Sequence, residues 1–152
     1  MKNIQESKIK NSTVTWLPLD NVTQTAESIH SSWCSSQFFF KEENIEKNIF
    51  GLRPPQIGGI FSALGHERSD DTSAATLVMP TGKGKTETIL SIIIAGHFKK
   101  SLIIVPSDAL REQTKKKVVS LGLLRDLGLI PDSTLNPIVT TIKPDSYTQV
   151  AS

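Results

Sequence analysis

ATLVMPTGKGKT, residues 75–86, joins an apolar run to a turn that contains two glycines. The run at residues 75–79 ends at Pro80, and its length and apolar character are typical of a buried strand. Residues 85–98 follow the turn, and their isoleucines form a broad apolar face, which predicts a helix. A strand, a glycine turn and a helix in this order provide the local context that a phosphate-binding loop requires.

The turn also carries the residue types that phosphate binding needs. Gly82 and Gly84 can direct backbone N–H groups toward an anion because no Cβ stands in the way. A helix that begins near Lys85 would aim its free N–H groups and the positive end of its dipole at the phosphates. Lys85 could then contact the β- and γ-phosphates, and the Thr86 hydroxyl could bind Mg²⁺. The alternative is a flexible glycine turn without a ligand. The predicted strand before the turn and the predicted helix after it favour the phosphate-binding loop.

The segments around this unit predict an α/β chain. Apolar runs at residues 101–105 and 137–142 predict a second and a third strand. Alternation of strands and helices favours a parallel sheet with helices on both faces and a right-handed connection between strands. Besides the helix at residues 85–98, helices are predicted from Pro54 to about residue 64 and, capped by Ser107 or Asp108, to about residue 121.

No motif assigns a role to the first 50 residues. Residues 13–17 predict a short strand, and residues 25–48 predict one or two helices. The three phenylalanines at residues 38–40 could pack in the core or form a platform for base stacking, and the core is favoured because no basic residue is interleaved with them. We therefore expect a mainly helical segment at residues 1–50, followed by a nucleotide-binding part at residues 51–152.

Composition limits the class of protein. The chain has 152 residues, of which 38% are hydrophobic and 21% charged, as in a folded domain with a single core. A formal net charge of +2 creates no strong field and by itself does not indicate nucleic acid. The single cysteine excludes an internal disulfide, and the cysteine and histidines lack zinc-site spacing, so a reducing cytoplasm is expected. No apolar stretch approaches the roughly 20 residues of a membrane span, and the amino terminus lacks the apolar region of a secretory signal.

Three motifs in order make the chain resemble superfamily two helicases. Residues 80–86 resemble motif I of this superfamily, because Met79 stands where most phosphate-loop kinases and GTPases have glycine. Arg53 and Gln56 lie about 30 residues upstream, where the superfamily carries a glutamine that recognises adenine. Residues 105–113 resemble motif Ia, which follows the second strand and touches the nucleic-acid backbone.

Residues 51–58 most resemble bacterial DEAD/DEAH-like helicases related to type III restriction enzyme subunits. This resemblance implies a RecA-like lobe that uses ATP and Mg²⁺ and moves along nucleic acid, DNA more than RNA. Lys85 and Thr86 would be catalytic, with Thr86 on Mg²⁺. The implied nucleotide-binding residues are Arg53, Gln56, Pro80, Thr81, Gly82, Lys83, Gly84, Lys85, Thr86 and Glu87, and the implied nucleic-acid contacts are Pro106, Ser107 and Gln113.

One feature of such helicases is missing from the chain. The resemblance implies an Asp-Glu box that binds Mg²⁺ and orients water after the third strand, and a second lobe with arginine fingers. No Asp-Glu pair follows Gln113. We therefore expect an N-terminal helicase fragment, truncated before that box, inactive alone and completed by the remainder of a helicase or by a partner subunit.

Three alternatives stay open. A module that binds nucleotide or nucleic acid without turnover would lack the acidic box, as this chain does. Another phosphate-loop enzyme, such as a kinase, would not be expected to carry Gln56 and the segment at residues 105–113. The lysines at residues 115–117, with Arg111, form either a phosphate-contacting patch or a solvated helix face.

Overall fold

A computed structural model describes residues 4–9, 12–18 and 24–142 of the chain, which form a mixed α/β structure. The elements in chain order are β1 (Gln5–Ile9), β2 (Ser12–Trp16), α1 (Ala26–Ser35), α2 (Pro54–Glu67), α3 (Lys85–Ala95), α4 (Asp108–Ser120) and β3 (Val139–Ile142). None of the helices in these ranges is long and apolar enough to cross a membrane.

The three strands form one antiparallel sheet in the order β1-β2-β3. Gln5 of β1 pairs with Trp16, and Ser12 at the start of β2 pairs with Ile142 of β3. The strands predicted at residues 13–17 and 137–142 are therefore confirmed. The predicted parallel sheet is not observed, because β3 pairs with the N-terminal hairpin and no two strands in the described ranges run parallel.

The strands predicted at residues 75–79 and 101–105 are wrong for this structure. Neither segment shares a backbone hydrogen bond with another described residue. Val78 and Ile104 are 85% and 84% exposed. An apolar run identifies a segment that is able to form a strand, but a strand forms only where a neighbour pairs with its backbone groups. No such neighbour lies beside either segment within the described ranges, so both are irregular.

Helices α2 and α4 begin where the sequence predicted. The Ser107 hydroxyl accepts a hydrogen bond from the Leu110 N–H at 3.3 Å and caps α4, and α2 begins at Pro54. The helices pack around one apolar core, which the chain segment after α4 completes. The buried core residues are Ile29, Trp33, Leu52, Ile60, Leu64, Leu90, Ile94, Leu121, Leu124, Leu129 and Ile130.

The N-terminal segment is not mainly helical, contrary to expectation. Among its described residues only α1 is a helix, and it is preceded by the hairpin of β1 and β2. Beyond α1, backbone groups pair across turns or, at one point, with a distant part of the chain instead of with the next helical turn. The Phe39 N–H, for example, donates to the Leu129 carbonyl at 2.8 Å. Such tertiary hydrogen bonds satisfy the backbone without a helix.

The run of three phenylalanines divides between the core and the surface. Phe38 packs against the core, which confirms the expectation for this residue. Phe39 and Phe40 are exposed. Phe40 stacks on Phe61 of α2 with ring centroids 4.7 Å apart, so aromatic packing extends the contact between this run and α2.

Candidate nucleotide-binding cleft

The glycine loop leads directly into α3. Gly84 is the residue before the helix and has φ 76°, as does Gly82. This left-handed conformation strains any residue with a side chain. At Gly84 a Cβ would also lie 2.5 Å from Gln56 Nε2, whereas the space beside Gly82 is open. Position 84 therefore requires glycine for two reasons and position 82 for one.

The start of α3 provides free backbone donors. The first hydrogen bond of the helical ladder runs from the Thr88 N–H to the Gly84 carbonyl at 3.0 Å. The N–H groups of residues 85–87 precede this bond, so they have no partner within the helix. Together with the positive end of the helix dipole, they make the start of α3 suited to an anion.

Arg53 and Gln56 brace the loop from the start of α2. Gln56 Nε2 donates to the Gly84 carbonyl at 3.2 Å, and Arg53 Nη1 donates to the Gly82 carbonyl at 3.0 Å. Gln56 Oε1 accepts from the Arg53 N–H at 2.9 Å. Arg53 Nε also pairs with Glu43 at 3.3 Å. The predicted adenine-binding glutamine thus meets the loop itself, and both ends of its amide have protein partners in this structure.

Glu87 connects the start of α3 to α4. Its side chain is only 8% exposed, and its Oε1 accepts a hydrogen bond from Lys117 Nζ at 3.0 Å. A buried carboxylate is costly unless a cation or several hydrogen bonds compensate for the lost water. Lys117 supplies this compensation from a helix that lies about 30 residues further along the chain.

These elements enclose a cleft of about 790 Å³, within the range of roughly 300–1,000 Å³ that is common for small-molecule sites. The structure brings most of the predicted nucleotide-binding residues to this cleft, but Pro80 and Lys83 do not line it. The predicted site residues that line it are Arg53, Gln56, Thr81, Gly82, Gly84, Lys85, Thr86, Glu87 and Gln113.

Several lining residues could not be found from the sequence. They belong to no motif, because folding alone brings them to the loop. These residues are Glu43, Phe50, Thr114, Lys117, Leu123 and Leu127. Among these six residues, Lys117 alone belongs to a pattern in the sequence, the lysine run at residues 115–117.

The three residues predicted to contact nucleic acid do not lie at one place in the structure. Gln113 lines the candidate cleft, whereas Pro106 and Ser107 lie outside its lining. Both are exposed. Because the Ser107 hydroxyl accepts from Leu110, its observed contact is structural.

The basic residues of α4 are mostly paired with carboxylates. Lys115 is buried and forms ion pairs with Glu6 at 2.8 Å and with Glu112 at 2.7 Å. Arg111 pairs with Asp108 at 2.6 Å. Lys116 is exposed and forms no ion pair with a described residue. With Lys117 held by Glu87, the basic run is not a free phosphate-binding patch.

Lys115 joins the edge strand of the sheet to α4. Its hydrogen bond and charge hold the pKa of Glu6 below the usual range of a glutamate. Burial alone would lower the pKa of Lys115, but the hydrogen bonds and charges of Glu112 and Glu6 outweigh it and raise that pKa. Both shifts favour the charged pair.

Comparison with known proteins identifies the family. A model of the family described as type III restriction enzyme, res subunit, matches residues 43–131, which is more than half of the chain. No curated protein and no solved structure matched. The matched range contains α2, the glycine loop, α3 and α4, so the resemblance drawn from the three motifs is confirmed. The chain belongs to the type III restriction enzyme res subunit family, a helicase-like family of ATP-dependent enzymes that act on nucleic acid.

Proposed function

We propose that this chain is the ATP-binding, N-terminal part of a nucleic-acid helicase or translocase with a RecA-like lobe. The observation that supports this most directly is the cleft at the start of α3. It combines a loop with two left-handed glycines, a helix N-terminus and the side chains of Lys85 and Thr86.

The residues of the cleft fit a nucleoside triphosphate with Mg²⁺. The open space beside Gly82 leaves room for phosphate oxygens close to the backbone. We assign the β- and γ-phosphates to Lys85 and the start of α3, and Mg²⁺ to the Thr86 hydroxyl. When bound, Mg²⁺ neutralises phosphate charge. The other residues assigned to the nucleotide are Pro80, Thr81, Gly82, Lys83, Gly84 and Glu87.

Adenine selection is assigned to Gln56 with Arg53. A glutamine amide both donates and accepts, which matches the edge of adenine. In this structure the amide bonds to the Gly84 carbonyl and to the Arg53 N–H. Because the amide carries two N–H donors and two acceptor lone pairs, one of each remains for adenine while Gln56 keeps both bonds.

Nucleic acid, DNA more than RNA, is assigned to the start of α4, through Pro106, Ser107 and Gln113. We place the ATP-binding part at residues 51–152 and leave residues 1–50 without a role. A cytoplasmic location fits this function. The remainder of a helicase, or a partner subunit, would supply the acidic box for turnover.

A module that binds without turnover is the second candidate. The observation that favours it is the state of the two carboxylates that line the cleft. Glu43 pairs with Arg53, and Glu87 pairs with Lys117. Each carboxylate thus has one oxygen committed to a cation of the protein, which makes it less available to hold Mg²⁺ or to orient water. Rapid phosphoryl transfer needs both of these roles.

Binding of a fluorescent ATP analogue with Mg²⁺ tests the main proposal. We expect Lys85→Ala to weaken binding at least about tenfold, since one lost charge-assisted contact is worth about 1.5–3 kcal/mol. Lys100→Ala removes an exposed lysine outside the cleft and serves as the matched control. Equal affinity for wild type and Lys85→Ala would contradict the proposal. DNA-stimulated ATP hydrolysis that depends on Lys85 would exclude binding without turnover.

A further inference from the structure

Helix α4 is attached to the molecule by ion pairs as well as by apolar contact. Only Lys115 and Val119 of its 13 residues are buried. Lys115 pairs with Glu6 of β1 on one side, and Lys117 pairs with Glu87 of α3 on the other. The helix is thus connected to the nucleotide cleft through one ion pair and to the sheet through another.

The ion pair on the cleft side lies directly beside the phosphate loop. Glu87 follows Thr86 in the first turn of α3 and is 6% exposed. A Cβ on Gly84, in the loop, would lie 3.6 Å from Glu87 Oε2, and one on Gly122, just after α4, would lie 3.6 Å from Oε1. The carboxylate therefore sits between the loop and the end of α4, and a movement of α4 changes the surroundings of the loop.

We propose that the Glu87–Lys117 ion pair links the nucleotide site to α4, so that nucleotide and nucleic acid raise each other's affinity. This inference rests on the proposed function, in which Lys85 and Thr86 bind phosphates and the start of α4 meets nucleic acid. It assigns Glu87 and Lys117 as positioning residues, with no direct contact to nucleic acid.

The sign of the linkage follows from the charges. Mg²⁺ offsets only part of the phosphate charge, so a bound nucleotide still raises the negative potential around Glu87, and the buried carboxylate depends more strongly on Lys117. A bound nucleotide therefore holds α4 more firmly in its position beside the cleft. Nucleic acid then binds a helix that is already ordered, and by linkage it raises nucleotide affinity by the same factor.

A purely structural anchor would behave differently. If Lys117 only stabilised the fold, its removal would lower the melting temperature and would leave the ratio of the two nucleic-acid affinities, with and without nucleotide, unchanged. This ratio is therefore the quantity to measure.

The experiment uses the full 152-residue chain. The dissociation constant for labelled single-stranded DNA is measured with and without a saturating, non-hydrolysable ATP analogue and Mg²⁺. We expect the analogue to tighten DNA binding of the wild type by at least about fivefold. Lys117→Met and Glu87→Gln should each reduce this factor to about one. In the double variant the factor should be no lower than in either single variant, because the two side chains act as one unit.

Lys116→Met is the matched control. It removes the same charge from the adjacent position of the same helix, at a residue with no carboxylate partner in the described ranges. Its factor should stay at the wild-type value. If Lys117→Met does not fold, the double variant Glu87→Gln, Lys117→Met replaces it, because neither charge is then left buried and unpaired.

The outcomes separate the two proposals. The linkage alone would be overturned if nucleotide binding depends on Lys85 but Lys117→Met and Glu87→Gln leave the effect of the analogue on DNA affinity unchanged. The linkage would also be overturned if the analogue leaves the DNA affinity of the wild type unchanged or weakens it. A wild-type chain that binds no nucleotide would overturn both proposals.

Discussion

Helices α3 and α4 border the same cleft, but different forces attach them to the molecule. On α3, Leu90 and Ile94 are buried in the apolar core. On α4, Val119 is buried and Val118 packs against the core at its edge, and the ion pairs of Lys115 and Lys117 add to the attachment. Apolar burial is not screened by salt and does not depend on pH, whereas ion pairs are sensitive to both. Helix α3, which follows the glycine loop, is therefore the more fixed helix, and α4 is the more adjustable helix beside it.

The largest loss of stability is expected when the contact of α3 with the apolar core is removed. Leu90 is 1% exposed, and Leu90→Ala should lower the free energy of unfolding by about 2–5 kcal/mol, through lost burial and the remaining cavity. Urea denaturation measures the loss. Ile89→Ala, at the adjacent and 40% exposed position, should cost clearly less. Similar losses for both variants would show that α3 is not held by its core face.

The start of α3 should be the next most sensitive point. Gly84→Ala forces a side chain into the left-handed region, at about 1–2 kcal/mol, and displaces the Gln56 amide from the Gly84 carbonyl, at about 1 kcal/mol more. Gly82→Ala has the same φ but open space beside it, so it should lose only the first amount. Equal losses of unfolding free energy would mean that the contact with Gln56 contributes nothing.

The start of α4 should be less sensitive. Ser107→Ala removes the hydroxyl that accepts from the Leu110 N–H and should lower the free energy of unfolding by about 1 kcal/mol. Ser107→Asp retains an acceptor and a favourable charge at the helix start, so it should restore most of the loss. A Ser107→Ala variant as stable as the wild type would indicate that the cap is not formed in solution.

The smallest effect on stability is expected when the pH is lowered. Because the pKa of Glu6 is lowered in the folded chain, its pairing with Lys115 stabilises the fold above the unfolded-state pKa and is lost as pH falls through the folded-state pKa. Hydrogen exchange in α4 should therefore accelerate, relative to α3, as pH decreases through this range, after correction for the intrinsic pH dependence of exchange. Glu6→Gln should abolish the step. A wild-type step of the same size in both helices would contradict the difference in attachment.

Much of the candidate site could be predicted because its determinants are local. The glycines at positions 82 and 84, the helix that begins at Lys85 and the Ser107 cap each depend on residues within a few positions along the chain. The two strands flanking α3 were predicted on equally strong local patterns, and they are absent. A loop or a cap contains its own hydrogen-bond partners, whereas a strand depends on a second segment that its own residues do not specify.

The sequence by itself determined the glycine loop and the starts of α2, α3 and α4, because glycine, proline and capping residues act through the backbone of their own turn. Its three motifs also identified the family. Only the tertiary structure decided that β3 pairs with β2, that the Gln56 amide bonds to the loop, and that Lys115 and Lys117 neutralise Glu6 and Glu87. Each of these contacts joins groups far apart in the chain. A carboxylate or a strand edge accepts many partners of the same chemistry, and packing of the whole molecule determines which partner comes within reach.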